Sequence, residues 1–417
     1  MSNVQQSWRE AKEAEAAGDK AAARRVYEAI LAAQPSSARA VIAICRLDLE
    51  AGRATAALEL LERVKPQEIE PEVLVDFGLT RAATLRLLGR YEDEFEALQT
   101  TLAIDPYCWP ALLQKADLLE RQGKPKAAAL VYRDVLKISP PAEYRPESFR
   151  KPLAHAEQVV AMYSEALEAS LLQAVDGLPG LSARWREAIS ILAGRSKPFL
   201  SQSNQLGVPR LPAQPFFRRE MFDWVPELEK RTADIREEMI AALSEAGDAF
   251  TPYVQYAPGD PVNQWSDLNH SRAWTSFHLY RAGEPVPANI ARCPRTAEAL
   301  KLIDSVHLAG TCPNAMFSVL APKTKIPPHH GESNARLVAH LPLVVPEQCL
   351  FRVGYDNRRW IEGEVIVFDD TIEHEAWNDS DEIRVVMIFD VWNPLLSLEE
   401  RQIVQRMATA ERQFRLS

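Results

Sequence analysis

A regular punctuation of glycines constrains the fold of this chain more than any other feature. Gly18, Gly52, Gly89 and Gly123 follow one another at gaps of 34, 37 and 34 residues, in a stretch rich in Ala, Leu, Glu and Arg. Pro35, Pro106 and Pro140 each stand 17 residues beyond their glycine, and Tyr27, Leu61, Leu98 and Tyr132 stand nine beyond. Five residues beyond comes a small side chain three times, Ala23, Ala57 and Ala128, with Glu94 as the exception. Apolar residues between these marks recur at helical spacing. Glycine permits a tight turn between paired helices, the small residue lets them approach closely, and proline ends the second helix. Such a pair cannot bury its apolar face alone, so residues 1–140 are expected to stack into an α-solenoid.

That period and punctuation resemble tetratricopeptide repeats. The resemblance implies a groove that presents a protein or peptide, the alternative being a scaffold or oligomerisation arm.

From Pro140 the chain turns proline-rich, with helical patterns over 153–174 and 182–192, so 141–200 reads as a helical linker. Residues 196–215 have several Pro and Gly and no periodicity, which reads as a linker or an extended arm. A helix near 225–246 opens a second domain, taken as 201–417. Beyond Phe250 the period shortens. AWTSFHLY, AMFSVLA, ARLVAHLPLVV, CLFRVGY, WIEGEVIVFDD and EIRVVMIFDVW are short runs of strand formers separated by turns, which predicts an antiparallel barrel or jelly roll. The whole is expected to be a multidomain α + β protein.

A net charge of -10 argues against nucleic acid or an anionic membrane as the main partner. No apolar run is long enough for a membrane span and the N-terminus has no signal-like apolar segment. Five scattered cysteines without a CxxC fit reduced thiols, with Cys293 and Cys312 left as candidates for pairing. Together these give the expectation of a cytoplasmic protein.

The chemistry gathers in the β-rich part. On ARLVAHLPL, Arg336, Val338 and His340 share one face, and Leu337, Ala339 and Leu341 the other. Pro327 and Pro328 hold the chain extended before His329 and His330. His374 follows the run VIVFDD, and Arg384, ten residues later, enters an apolar strand that calls for an anionic partner. Two imidazoles suit Fe(II), and a guanidinium fork suits a carboxylate. That order suggests a 2-oxoglutarate oxygenase. Gly331 stands where the usual metal-binding carboxylate would be, and Asp369, Asp370 and Glu332 remain rivals for that place.

The text from FSVLAPKTKIPPHHGESNARLVAHLPL to FRVGYDNRRWIEGEVIVFDDTIEHEAWNDSDEIRVVMIFDVWNP resembles the aspartyl/asparaginyl β-hydroxylase family. The likeness covers roughly residues 200–410. It implies a double-stranded β-helix (jelly-roll) fold and an Fe(II)- and 2-oxoglutarate-dependent dioxygenase that consumes O₂, its iron held by two histidines and no protein carboxylate. Carried over by position, His329 and His374 would be the metal ligands, with His330 as the alternative to His329. Ser318, His340 and Arg384 would bind 2-oxoglutarate, and Arg336 would lie close to the substrate acid. Val338 departs from the animal enzymes, which carry a second arginine there. The resemblance further implies hydroxylation of the β-carbon of Asp or Asn in a protein or peptide presented by the repeats. A free amino acid, another small molecule or an acyl chain, chloride-dependent halogenation, and a non-enzymatic repeat adaptor are the competing readings. His155, His270, His278 and His307 carry no motif and read as structural, and Trp265, Trp274, Trp360, Trp377 and Trp392 read mainly as core, Trp265 and Trp274 also as candidates for the substrate entrance.

Overall fold

The computed structural model describes residues 3–65 and 69–416, and the chain divides into two compact units. The first holds residues 1–181 and 188–195, the second 182–187 and 196–417.

In the first unit the helices come as pairs: Asn3–Ala16 with Lys20–Ala33, Ala38–Glu50 with Ala54–Glu62, Leu74–Leu87 with Tyr91–Ile104, and Trp109–Arg121 with Pro125–Ile138. The four marker glycines occupy the turns inside the pairs with φ between +68° and +79°. Nothing crowds them, so the left-handed backbone alone is what demands glycine there. Ala23, Ala57 and Ala128 are fully buried where the helices touch. Glu94 is just as buried at the corresponding place and pairs with Arg121. The helix Glu147–Ala174 packs Leu153 and Ala156 against Tyr132 and Val135, so it extends this array.

The second unit carries twelve strands among the described residues. These are β1 (Phe216–Phe217), β2 (Thr251–Pro252), β3 (Trp274–Arg281), β4 (Glu284–Pro285), β5 (Ala315–Leu320), β6 (Thr324–His329), β7 (Arg336–Val344), β8 (Cys349–Val353), β9 (Asp356–Arg358), β10 (Ile366–Phe368), β11 (His374–Asn378) and β12 (Arg384–Trp392). Antiparallel pairs nest one inside another: β8 with β9, β7 with β10, β6 with β11, β5 with β12. A long hairpin wound on itself in this way is a jelly roll. It forms a major sheet in the order β1-β10-β7-β12-β5-β3-β2, with β4 beside β3, and a minor sheet in the order β6-β11-β8-β9.

Strand alternation sorts the side chains into two layers. Phe277, Phe317, Leu337, Leu341, Met387 and Phe389 leave the major sheet on one face and bury against Ile235 and Met239 of the helix Thr232–Glu245. Each such side chain contributes roughly 1.5–3 kcal/mol by burial. On the opposite face Leu320, Phe368 and Val386 meet Ile326, Phe351 and Val353 of the minor sheet. The polar residues of β5, β7 and β12 lie in this second layer, between the sheets. All five cysteines are free and buried, including Cys293 and Cys312. Among the described residues no helix is long and apolar enough to cross a membrane.

Residues 201–208 are docked on the second unit. Backbone bonds run from Gln202 to Thr371, Asn204 to Gly331 and Gln205 to Glu332, and the Asn204 side chain donates to the His330 carbonyl. Sequence periodicity misses this strap because it is held through its backbone and shows no alternating apolar face.

Candidate functional site

His329 ends β6 and His374 begins β11, and the register makes them direct cross-strand partners. Side chains so opposed must meet, and the two ring centroids are 4.0 Å apart. The pairing slips between His374 and Ala376, a bulge beside the site. Each ring is oriented by its own backbone. His329 Nδ1 donates to the Pro327 carbonyl at 2.8 Å and His374 Nδ1 to the Ile372 carbonyl at 3.1 Å. A carbonyl can only accept, so both protons sit on Nδ1 and both Nε2 lone pairs are left for another partner. Burial keeps both rings neutral, holding His329 down to about 4 and His374 well below the usual imidazole range. Trp265 presents its ring edge-on to His329 at 5.0 Å.

These rings open on a cavity of about 740 Å³ that also receives Ser318, His340, Arg384 and Arg336. All six site residues read from the sequence therefore share one space. His340, on β7, accepts a hydrogen bond at Nδ1 from the Trp360 indole at 3.2 Å. The indole can only donate, so His340 carries its proton on Nε2, and burial holds it neutral, down to about 3. Ser318, fully buried on β5, accepts from the Trp274 indole at 3.0 Å, which leaves its own hydroxyl proton free to donate.

Arg384 is 2% exposed. Its guanidinium lies over the Trp360 ring at 4.9 Å, Nε has no hydrogen-bond partner, and among the described residues no carboxylate stands within ion-pair distance. Burial pulls it down to about 10. Sequence reasoning expected an anionic partner for this charge, and the described residues supply none. Asp369 instead binds Thr371, and Asp370 and Asp390 turn to Arg336.

Arg336, on the same face of β7 as Val338 and His340, is buried among acids. Nη1 is 2.9 Å from Asp370 and 3.5 Å from Asp390, and Nη2 is 3.5 Å from Glu332. Asp370 also explains Gly331. A Cβ on that glycine would lie 1.9 Å from Asp370 Oδ2, and the Gly331 amide donates to the Asp370 carbonyl at 2.6 Å. The volume where a carboxylate at position 331 would begin is thus filled. Among the described residues no group of three or more His, Cys, Asp or Glu side chains is arranged to hold a metal. His330 is partly buried and lines the same cavity, and its carbonyl takes the Asn204 amide.

Sequence reasoning gave Trp360 as core and Trp274 as core or substrate entrance, and did not single out Asn204 or Gln205. Trp360 and Trp274 orient His340 and Ser318 through indole N–H groups, and Asn204 and Gln205 line the cavity from the docked strap. An indole in a polar-faced layer is the one signal that points to the first two, since a buried Trp N–H needs an acceptor. His278 lines the cavity too, with burial holding it down to about 4.

Comparisons with known proteins agree with this layout. The aspartyl/asparaginyl beta-hydroxylase family matches residues 229–394, and a tetratricopeptide repeat family matches residues 14–73. The chain is 32% identical over 200 residues to the ornithine lipid ester-linked acyl 2-hydroxylase of Rhizobium tropici, covering 47% of this chain and 67% of that protein. It is 30% identical over 207 residues to human aspartyl/asparaginyl beta-hydroxylase, covering 48% of this chain and 26% of that protein. It is 28% identical over 211 residues to aspartate beta-hydroxylase domain-containing protein 2 of Xenopus tropicalis, covering 50% of this chain and 55% of that protein. The chain thus spans about a quarter to two thirds of these relatives' lengths.

Proposed function

The chain belongs to the aspartyl/asparaginyl β-hydroxylase family, and from that premise we propose that it is an Fe(II)- and 2-oxoglutarate-dependent hydroxylase. The observation that carries this reading is Arg384, a buried guanidinium without an anion, facing the same cavity as two neutral imidazoles with free Nε2 lone pairs. A charge so desolvated costs several kcal/mol unless something pairs with it. A small diacid supplies that partner at one end and metal-binding oxygens at the other.

His329 and His374 would hold the ferrous ion, their donor atoms aimed and kept unprotonated by the Pro327 and Ile372 carbonyls. The donor set suits Fe(II). With oxoglutarate and O₂, such a centre supplies the oxidising power to hydroxylate an unactivated C–H bond. The remaining work belongs to the chain. Arg384 would pair with the far carboxylate of the diacid, and Ser318 and His340 Nε2–H would donate to its oxygens. Trp274 and Trp360 keep those donors pointed inward. Phe351, Phe368 and Trp360 wall the inner cavity and exclude water from the reacting centre.

The resemblance points to the β-carbon of Asp or Asn in a polypeptide that the repeats present, with Arg336 on the substrate side. The R. tropici relative is named for acyl 2-hydroxylation, which supports a second reading in which the same core serves a small molecule or lipid. The test is conversion of oxoglutarate to succinate by the full chain with Fe(II). The protein is loaded with Fe(II) anaerobically and then given O₂, which succinate formation consumes; release that disappears in His374→Ala supports the proposal, and its absence from the oxygen-supplied wild type overturns it.

A further inference from the structure

The cavity carries opposite charges at its two ends. Arg384 and Asp390 lie six residues apart on one face of β12, a separation of about 20 Å along the strand. At the first end a guanidinium has no acid. At the second, one guanidinium faces three acids, those of Asp370, Asp390 and Glu332, of which Asp370 is pushed up to about 7 by burial and so carries only part of a charge near neutrality. Among the described residues no second cation stands within ion-pair distance of these acids. Asp390 is fixed by the Asn314 backbone and side-chain N–H groups, and Asp370 by its seat on Gly331. Asp370 Oδ1 has no hydrogen-bond partner, although its side chain is more than nine-tenths buried on the cavity wall. Val338, between Arg336 and His340 on the same face, adds no charge.

Arg336 Nε and Nη1 also make no hydrogen bond. An anion approaching them would nevertheless join the Asp390 and Glu332 carboxylates and the partly ionised Asp370, all within 3.5 Å of that guanidinium. Like charges brought together in a cavity wall are a device for rejecting a ligand. Tyr256 and Trp265 line the same cavity, and aromatic faces of this kind welcome a cation.

We infer that the substrate docks a protonated amine or guanidinium, and no carboxylate, beside Asp370, Asp390, Glu332 and Arg336. This rests on the hydroxylase reading and narrows its substrate class away from aspartyl side chains. The amine can belong to a polypeptide or to a small molecule, and the chemistry of recognition is the same.

Equilibrium binding separates this inference from the reaction. Calorimetric titration of the full chain, loaded with Mn(II) and oxoglutarate, uses blocked Gly-Gly-Xaa-Gly-Gly peptides with Lys, Asn or Asp at Xaa, and free agmatine. The Lys peptide or agmatine is expected to bind at least about 10-fold more tightly than the Asp peptide at low salt, with the preference shrinking as salt rises. Preference for the Lys peptide alone identifies a polypeptide source, and for agmatine alone a small-molecule source. Glu332 is partly exposed, so Glu332→Lys is expected to fold and to narrow or reverse the preference, with Glu332→Gln intermediate. Equal affinities, no binding of any probe, or tighter binding of the Asp or Asn peptide overturns the inference. Succinate release is measured separately, so a dead reaction with intact cation preference refutes the hydroxylase reading and leaves the charge preference standing.

Discussion

Replacing Arg384 with Met is expected to raise the stability of the ligand-free second unit while abolishing its response to oxoglutarate. The guanidinium is held down from 12.5 to about 10 by burial. At 1.36 kcal/mol per unit this is about 3 kcal/mol charged against the fold. The sign follows from linkage. The unfolded chain keeps the proton to higher pH, so the cost is fully present below about pH 10 and fades only as pH rises toward 12.5. Against this gain stands the loss of the contact with Trp360, worth up to ~2 kcal/mol when desolvated. A net gain of about 1 kcal/mol remains, or roughly 2–4 °C in the melting of a unit this size. Scanning calorimetry of the full chain reads the two units' transitions with and without oxoglutarate. Wild type is expected to gain about 3 kcal/mol from oxoglutarate at 100 times its dissociation constant, and the variant none. A variant that melts lower without ligand and still responds as wild type does would refute the claim that Arg384 waits for an anion.

Other expectations follow from the same geometry. Gly331→Ala places a Cβ on the Asp370 carboxylate and should cost about 1–3 kcal/mol by overpacking. Gly331→Asp should likewise fail to raise Mn(II) affinity, which a metal titration checks. Because burial depresses His329 to about 4 and His374 well below the usual imidazole range, protons should not compete for the two imidazoles in mild acid. Mn(II) affinity is therefore expected to stay flat from pH 7 to pH 5, whereas ordinary imidazoles near 6.5 would lose it over that range. In the repeat array, burial raises the Glu94 carboxyl and leaves Oε2 without a partner. Arg121 keeps Asp117, so Glu94→Ala, which restores the small residue found at 23, 57 and 128, should change stability by less than about 1 kcal/mol in chemical denaturation.

The legible parts of the sequence were the local ones. The glycine period could be read because a left-handed turn admits little else, and each marker glycine has that backbone. The polar face of Arg336, Val338 and His340 could be read because a strand repeats every two residues. The histidine pair could be named by resemblance, but the contact between them comes from the β6–β11 register, which joins residues 45 apart. The reason for Gly331 lies in Asp370, 39 residues away, and the acids around Arg336 come from three separate segments. No local pattern records such meetings. Helix 147–174 read as linker because its boundary is proline-rich, yet its apolar stripe packs on the preceding repeat.

The most direct test of the account is the anaerobic addition of Fe(II) and then oxoglutarate to the full chain, followed by visible absorption. Chelation of a ferrous ion by the keto acid gives a metal-to-ligand charge-transfer band. The account predicts that band in wild type, its loss in His329→Ala and His374→Ala, and a much weakened oxoglutarate affinity in Arg384→Met. A wild-type protein that gives no band, or a band that survives both histidine replacements, would contradict it.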